Sequence, residues 1–212
     1  SVAKPFTVMA ALKLMEAGRL SSGDAVTRYL PAFEPRLEDG AVAEIKVAHL
    51  LTHTAGLDYR FQQPRDGSYA RAGISDGLDE ARDTLADNLA RIASVPLASR
   101  PGEMWRYSVA TDVLGGVIEA VAGMPLDQAL RSLVLDPLGL GARFRWEGDD
   151  LAAPYRDAKL GPQRMQGPIE LPLPFVEGPG VRFDPERIRQ RSAWLSGGGG
   201  MAGRASVVLT LL

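Results

Sequence analysis

"SVAKPFTVMAALKLMEAGRL" (residues 1–20) is the stretch on which the reading of the whole chain turns. Val8, Ala11, Leu12 and Met15 follow the i, i+3, i+4, i+7 spacing of one buried stripe, which predicts a helix over residues 1–17. Gly18 supplies a C-terminal stop. Pro5 places the start, because proline is tolerated in a first helical turn and disruptive further in. Ser1 to Lys4 then form that first turn, and residues three apart share one helix face. Serine alone is a poor nucleophile and needs a base within hydrogen-bond reach. Lysine serves as that base when burial disfavours its charged form. The N–H groups of a helix start carry partial positive charge, which suits a developing oxyanion. The bland reading of the same residues is a solvated serine and a surface lysine, and S-x-x-K by itself occurs often by chance.

Outward from this helix, the pattern stays helical for most of the chain. "SSGDAVTRYLPAF" (21–33) predicts a short helix ended by Pro31, and "VAHLLTHTAGL" (47–57) one closed by Gly56. Residues 57–80 read as loop and "LADNLARIASV" (85–95) as helix. "RPGEMWRYS" (100–108) is a turn. "VATDVLGGVIEAVAG" (109–123) reads as a buried helix with Ser108 as N-cap and Gly123 as stop. Gly115 and Gly116 inside it weaken a helix by about 1 kcal/mol each relative to Ala, which implies close approach by a neighbouring element. "PLDQALRSLVLDPLGL" (125–140) predicts one more helix. After residue 147 prolines at 154, 162, 168, 172, 174, 179 and 185 exclude most helix and leave extended segments. "SGGGG" (196–200) is a tight turn, and "RASVVLTLL" (204–212) resumes an apolar segment. The division expected is a mainly helical region, 1–147, and a Pro/Gly-rich segment, 148–212.

Composition narrows the function classes. The 212 residues carry 45% hydrophobic residues, enough to bury a sizeable core, and a net charge of −2 without long charged runs. Nucleic acid and anionic membranes are therefore not expected as partners. With no cysteine there is no disulfide, thiol nucleophile or Cys-based zinc site. "GISDG" (73–77) matches the G-x-S-x-G nucleophile elbow, but an elbow needs a strand before it and a histidine after its serine. "RDGSYARA" before it is polar, and both histidines, His49 and His53, precede Ser75, so a glycine-flanked loop is the expected reading. His49 and His53 stand four apart as zinc ligands do, but the sequence is H-L-L-T-H without the accompanying glutamate. His53 is expected to brace a helix end instead.

A second element stands far from Ser1. "WRYSVATDVLG" (105–115) places Tyr107 just before the buried helix, with Trp105 beside it. A phenol can relay a proton between a serine and a leaving group when an ammonium is near; a half-buried core tyrosine is the plainer alternative. Together "SVAKPFTVMAALKLMEAGRL", "LLTHTAGLDY", "PGEMWRYSVATDVLGGVIEAVAG" and "SGGGGMAG" resemble the serine β-lactamase and penicillin-binding superfamily, in order and spacing over nearly the whole chain. The match is nearest to its esterase branch, the family VIII carboxylesterases. The resemblance implies an α+β serine β-lactamase-like fold, present here mostly as its helical region with few short strands. It implies that Ser1 is the acylated nucleophile, Lys4 its base partner and Tyr107 the tyrosine that opens Y-x-N. Tyr59 is similar to an aromatic lining the acyl or alcohol pocket. G-x-S-x-G also occurs in this branch without being its nucleophile.

Three departures bear on activity. Val109 stands where Y-x-N has its asparagine, which argues for ester over lactam substrates. The late K-T-G or its equivalent is absent; "KLG" (159–161) lies in a proline-rich stretch. The family's early and late strands have no counterpart, so the chain is expected to be the middle of a longer, incomplete domain. An amine at Ser1 would lack the usual oxyanion N–H, worth about 2.7–4 kcal/mol in the transition state; an N-terminal nucleophile hydrolase would instead use that amine as base, but nothing else fits its strand-rich pattern. The expected activity is hydrolysis of small-molecule, short-chain esters through an acyl-enzyme, with no metal or cofactor. The alternatives are a β-lactamase or D-alanyl-D-alanine carboxypeptidase, and a non-catalytic binding module. The cytoplasm is the expected compartment, with the periplasm or secretion as alternatives.

Overall fold

The structure is a computed structural model that describes residues 1–80, 83–173 and 178–211. Pro174 and Leu212 fall outside the described residues. Helices α1 (Lys4–Glu16), α2 (Val47–Leu51), α3 (Ser68–Arg71), α4 (Leu85–Ala93), α5 (Ala110–Ala122), α6 (Leu126–Leu130) and α7 (Ala205–Leu211) carry most of the regular structure. Two small antiparallel hairpins supply the strands. β1 (Tyr155–Arg156) pairs with β2 (Gln163–Arg164), and β3 (Ile169–Leu171) with β4 (Val181–Phe183) in the register Ile169↔Phe183. The chain is thus α+β with helix dominant and few short strands, as the family resemblance implies.

Helix α5 is the centre of the core. Its residues from Ala110 to Ile118 are all buried, and α1, α2, α4 and α6 pack around it. The two interior glycines are explained by that crowding. A β-carbon at Gly115 would stand 3.2 Å from a Leu126 methyl, and one at Gly116 3.1 Å from a Leu89 methyl. Gly123 ends the helix in the left-handed region at φ 72°, a conformation that favours glycine. The cap differs from expectation. Val109 occupies the N-cap position, and the buried Ser108 hydroxyl instead accepts from Ala110 N at 3.4 Å.

The buried face of α1 is displaced from the predicted stripe. Phe6, Thr7, Ala10, Ala11 and Leu14 are buried, whereas Leu12 is 45% exposed and Val8 and Met15 only partly covered. α5 on one side and the α6 region on the other decide which face is covered, and they cover the one carrying Phe6, Ala10, Ala11 and Leu14. The helix starts later than predicted, at Lys4 with Ala3 as N-cap; Ser1 to Ala3 form a turn ahead of it, in which Lys4 N donates to Ser1 O at 3.2 Å, and Pro5 sits where its missing N–H costs nothing.

Three other elements are shorter than the sequence suggests. Residues 21–33 contribute only a 3₁₀ turn, Val26–Arg28. The helix of 47–57 stops at Leu51, because Thr52 Oγ1 bonds back to Ala48 O at 2.8 Å and His53 turns left-handed at φ 54°. The helix predicted over 125–140 is α6 followed by a π-helical turn, Arg131–Leu135, and ends there. The segment read as loop, 57–80, holds a 3₁₀ turn at Arg60–Gln62 and α3, with Tyr59 and Tyr69 buried. Among the described residues no single helix is long and apolar enough to cross a membrane.

"GISDG" is a brace between this loop and α4. Asn88 Oδ1 accepts from Ser75 N at 2.9 Å and Asn88 Nδ2 donates to Ser75 O at 3.0 Å, while the Ser75 hydroxyl is bound to Asp79. Asp76 beside it is buried, accepts from Arg60 N at 2.8 Å through Oδ1, and has no hydrogen-bond partner on Oδ2. Burial pushes its pKa up to about 7, with Asp79 adding to the rise and Arg60 opposing it. A carboxyl raised from the ordinary 3.8 binds a proton in the native state that the unfolded chain has released. Its contribution to stability is full below pH 4 and lost as pH rises through 7. Asp76→Asn should therefore match the wild type near pH 4 and exceed it at pH 8 by roughly 4 kcal/mol, since the rise from 3.8 to about 7 spans about three tenfold steps in proton affinity, each worth about 1.4 kcal/mol. Urea unfolding at both pH values checks this, and an identical pH slope in the two proteins counts against it.

Candidate active site

The turn that leads into α1 leaves Ser1 exposed while Lys4, the first residue of the helix, is buried. Ser1 is exposed, and Lys4 is only 9% exposed. Lys4 Nζ donates to Ser1 Oγ at 3.3 Å and to Gly198 O at 2.9 Å. The Tyr107 hydroxyl reaches the same Ser1 Oγ. The ammonium lies 4.7 Å from the Tyr107 ring centroid and 5.5 Å from that of Tyr59. One hydroxyl is thus flanked by an amine and a phenol brought from residues more than a hundred positions apart. Such a pair can take a proton from the hydroxyl and return it.

Each side chain is held by a scaffold of its own. Asp58 is buried and accepts from Tyr59 N at 2.8 Å, from Gln62 Nε2 at 3.2 Å and from Arg106 Nη1 at 3.0 Å. Gln62 Nε2 also donates to Tyr107 O at 2.5 Å, so one carboxylate ties the Tyr59 loop to the Tyr107 turn. Tyr59 is 4% exposed, stacks on Phe61 at 4.7 Å and tilts against Tyr107 at 5.2 Å. Burial, then the nearby Asp112 charge, pushes its phenol far up, so it is neutral and packs as an aromatic wall. Val109 is fully buried in the core, and its side chain offers no surface to a substrate; the packing of α5 turns it inward, away from the pocket position expected for it.

The histidines do not converge on a metal site. His49 Nδ1 accepts from Lys46 N at 3.2 Å, whereas the His53 ring lies 5.0 Å from that of Tyr107 and its Nδ1 accepts from Ser108 N at 3.3 Å. Among the described residues no three His, Asp or Glu side chains group as metal ligands do. His53 braces the end of α2 and the Tyr107 turn together. Burial, and then the charge of Lys4, lowers its pKa to about 4, so its ring is neutral near pH 7.

"SGGGG" closes the site from the other side. Thr7 Oγ1 donates to Gly197 O at 2.9 Å, and a β-carbon at Gly197 would stand 2.7 Å from Thr111 O. Glycine is what lets this turn wedge between α1 and α5. "KLG" lies in the turn between β1 and β2 with Leu160 97% exposed, far from a strand role. Sequence reasoning misses Asp112, Ser196 and Gly198. The available signal is a charged residue in an otherwise apolar helix, which needs a partner when buried.

A serine just ahead of a buried helix, with lysine and tyrosine on its hydroxyl, is what the resemblance to serine β-lactamase-like proteins implies. Residues 1–212 match the Beta-lactamase family, and the chain belongs to it. Esterase EstB of Burkholderia gladioli is 45% identical over 214 residues, covering 100% of this chain and 55% of that protein. A solved structure, "EstCE1, a hydrolase with promiscuous acyltransferase activity", superposes with a TM-score of 0.94 at 43% identity, over 100% of this chain and 56% of that one. Monacolin J acid methylbutanoyltransferase of Aspergillus terreus is 31% identical over 152 residues, 66% of this chain and 35% of that protein. The chain spans just over half the length of the first two.

Proposed function

We propose that this chain carries the Ser1–Lys4–Tyr107 part of a carboxylesterase that cleaves short-chain esters through an acyl-enzyme. The observation that carries this reading is the meeting of Lys4 Nζ and the Tyr107 hydroxyl on Ser1 Oγ. Ser1 Oγ attacks the ester carbonyl carbon while its proton passes to the Tyr107 oxygen, which is deprotonated in the reactive state and faced by the Lys4 ammonium. The oxyanion collapses, the C–O bond to the alcohol breaks, and Tyr107 returns the proton to the departing alkoxide. Water then attacks the acyl-enzyme by the same route and releases the acid. The names of EstB and EstCE1 support ester substrates. The acyltransferase activity named for EstCE1 also supports a second fate for the acyl-enzyme, transfer to an added alcohol.

The full-length protein should react with a fluorophosphonate at Ser1, and Ser1→Ala should not. It should also hydrolyse p-nitrophenyl acetate faster than a chromogenic cephalosporin. Absence of labelling would favour a binding module, and fast cephalosporin turnover with poor ester cleavage would favour a β-lactamase.

A further inference from the structure

Asp112 is the one charged residue in the buried run from Ala110 to Ile118, and it is 1% exposed. Its Oδ1 accepts from Ser196 Oγ at 2.7 Å and from Gly198 N at 3.0 Å. Its Oδ2 has no hydrogen-bond partner. The same Gly198 whose N–H reaches Asp112 offers its carbonyl to Lys4 Nζ at 2.9 Å. A β-carbon on Gly198 would stand 3.0 Å from Asp112 Oδ2 and 3.4 Å from Lys4 Nζ, so the two side chains flank one glycine. A buried carboxylate with a free oxygen is costly unless an opposite charge faces it.

We propose that Asp112 is a positioning residue of this site: through Gly198 its carboxylate seats Lys4 on Ser1, and its free oxygen supplies the counter-charge to the Lys4 ammonium. The inference rests on the esterase reading above. The groups that face Asp112 are Lys4 from α1, Arg187 from the 3₁₀ turn Arg187–Arg189, the Ser196 hydroxyl and Gly198 N–H, with the phenol of Tyr59 near it. Tyr107 and His53 border Lys4 in turn. Arg187 is held by the carbonyls of Asp79, at 3.0 Å, and Trp194, at 2.7 Å, and keeps its charge throughout. Burial raises the pKa of Asp112, while the two hydrogen bonds and the charges of Lys4 and Arg187 pull it back.

The test uses the full-length protein and a p-nitrophenyl ester. Asp112→Asn keeps the acceptor for Ser196 and Gly198 and removes the charge. Its kcat should fall about tenfold or more, KM should stay within about twofold, and the acid limb of the kcat profile should move down by about one pH unit. The limb moves down because loss of a negative charge makes proton release from its neighbours easier. A folded Asp112→Asn protein with wild-type kcat and an unmoved limb overturns the proposal. Gly198→Ala gives an independent arm, since Gly198 has no left-handed φ and alanine fits the backbone there. Its β-carbon separates Asp112 from Lys4 and should lower kcat about tenfold. If Asp112→Asn does not fold, a Gly198→Ala kcat within about twofold of wild type overturns the proposal alone. A wild type without Ser1-dependent hydrolysis overturns the esterase reading itself, which is a different outcome from active wild type with unaffected variants.

Discussion

Ser1→Ala should lower kcat for a p-nitrophenyl ester by about 10⁴-fold or more, Lys4→Ala by a similar factor, and the double variant by scarcely more than either. Non-additivity is expected because the two side chains act on one proton. Lys4 Nζ touches Ser1 Oγ at 3.3 Å, so removing either partner leaves the other without a task. The two variants differ in stability, and that difference is a control. Ser1 is exposed, so its replacement should leave the melting temperature almost unchanged. Lys4→Ala empties a buried site, leaves Gly198 O without its donor and strands the Asp112 carboxylate, so a loss of about 2–3 kcal/mol is expected. Steady-state kinetics and thermal melts on the three proteins check both points. Losses that multiply in the double variant would mean separate roles, and a Ser1→Ala protein with most of its activity intact would remove the nucleophile from the mechanism.

Tyr107→Phe should lower kcat by about 10³-fold with KM nearly unchanged, the range expected when a general acid–base group is removed. Phenylalanine keeps the ring, so the contacts with His53 at 5.0 Å and Tyr59 at 5.2 Å and the packing under Lys4 survive. What goes is the oxygen that reaches Ser1 Oγ. His53 is the natural rival for the role of base, being half-buried beside the same residues. Its geometry argues against it: Nδ1 already accepts from Ser108 N, and its pKa of about 4 leaves it a weak base. The kcat profile should accordingly show no limb near pH 6.5, the ordinary histidine value, that disappears in His53→Asn. A Tyr107→Phe protein with more than about a tenth of wild-type kcat would move the proton transfer to another group.

Acid should weaken the fold through the same histidine. With a native pKa near 4 against 6.5, His53 binds fewer protons folded than unfolded. Stability from this group is complete above pH 6.5 and is lost as pH falls toward 4. This runs opposite to Asp76, whose contribution is lost as pH rises through about 7. The two effects can be separated by Asp76→Asn, which removes the Asp76 contribution and keeps that of His53.

The residues that are legible in the sequence are those whose geometry is local. The spacing of Ser1 and Lys4 fixes their shared turn, because a helix returns to the same face every three or four residues. Pro5 marks the turn as the first, and Gly123 marks the end of α5, since each residue permits only certain backbone angles. The misreadings share one cause. Periodicity places the α1 stripe on Val8, Ala11, Leu12 and Met15, whereas of these only Ala11 is buried and the packed face is Phe6, Thr7, Ala10, Ala11 and Leu14. It runs a helix through Thr52 and His53, where a back-bonded hydroxyl and a left-handed turn end it. Family patterns name positions without saying which way a side chain turns, and Val109 turns into the core.

By itself, then, the amino-acid sequence determined the helical skeleton, the serine–lysine turn, the family and the reading of G-x-S-x-G as a loop without the strand of a nucleophile elbow. Only the tertiary structure decided that Tyr107 meets Ser1, that Gly198 meets Lys4 across 194 residues of chain, and that Asp112 lies beneath both. Those encounters depend on how closely α1, α5 and a four-glycine turn approach one another. Close approach is a property of surfaces packed in three dimensions, and the missing β-carbons that permit it leave no periodic trace along a single strand of residues.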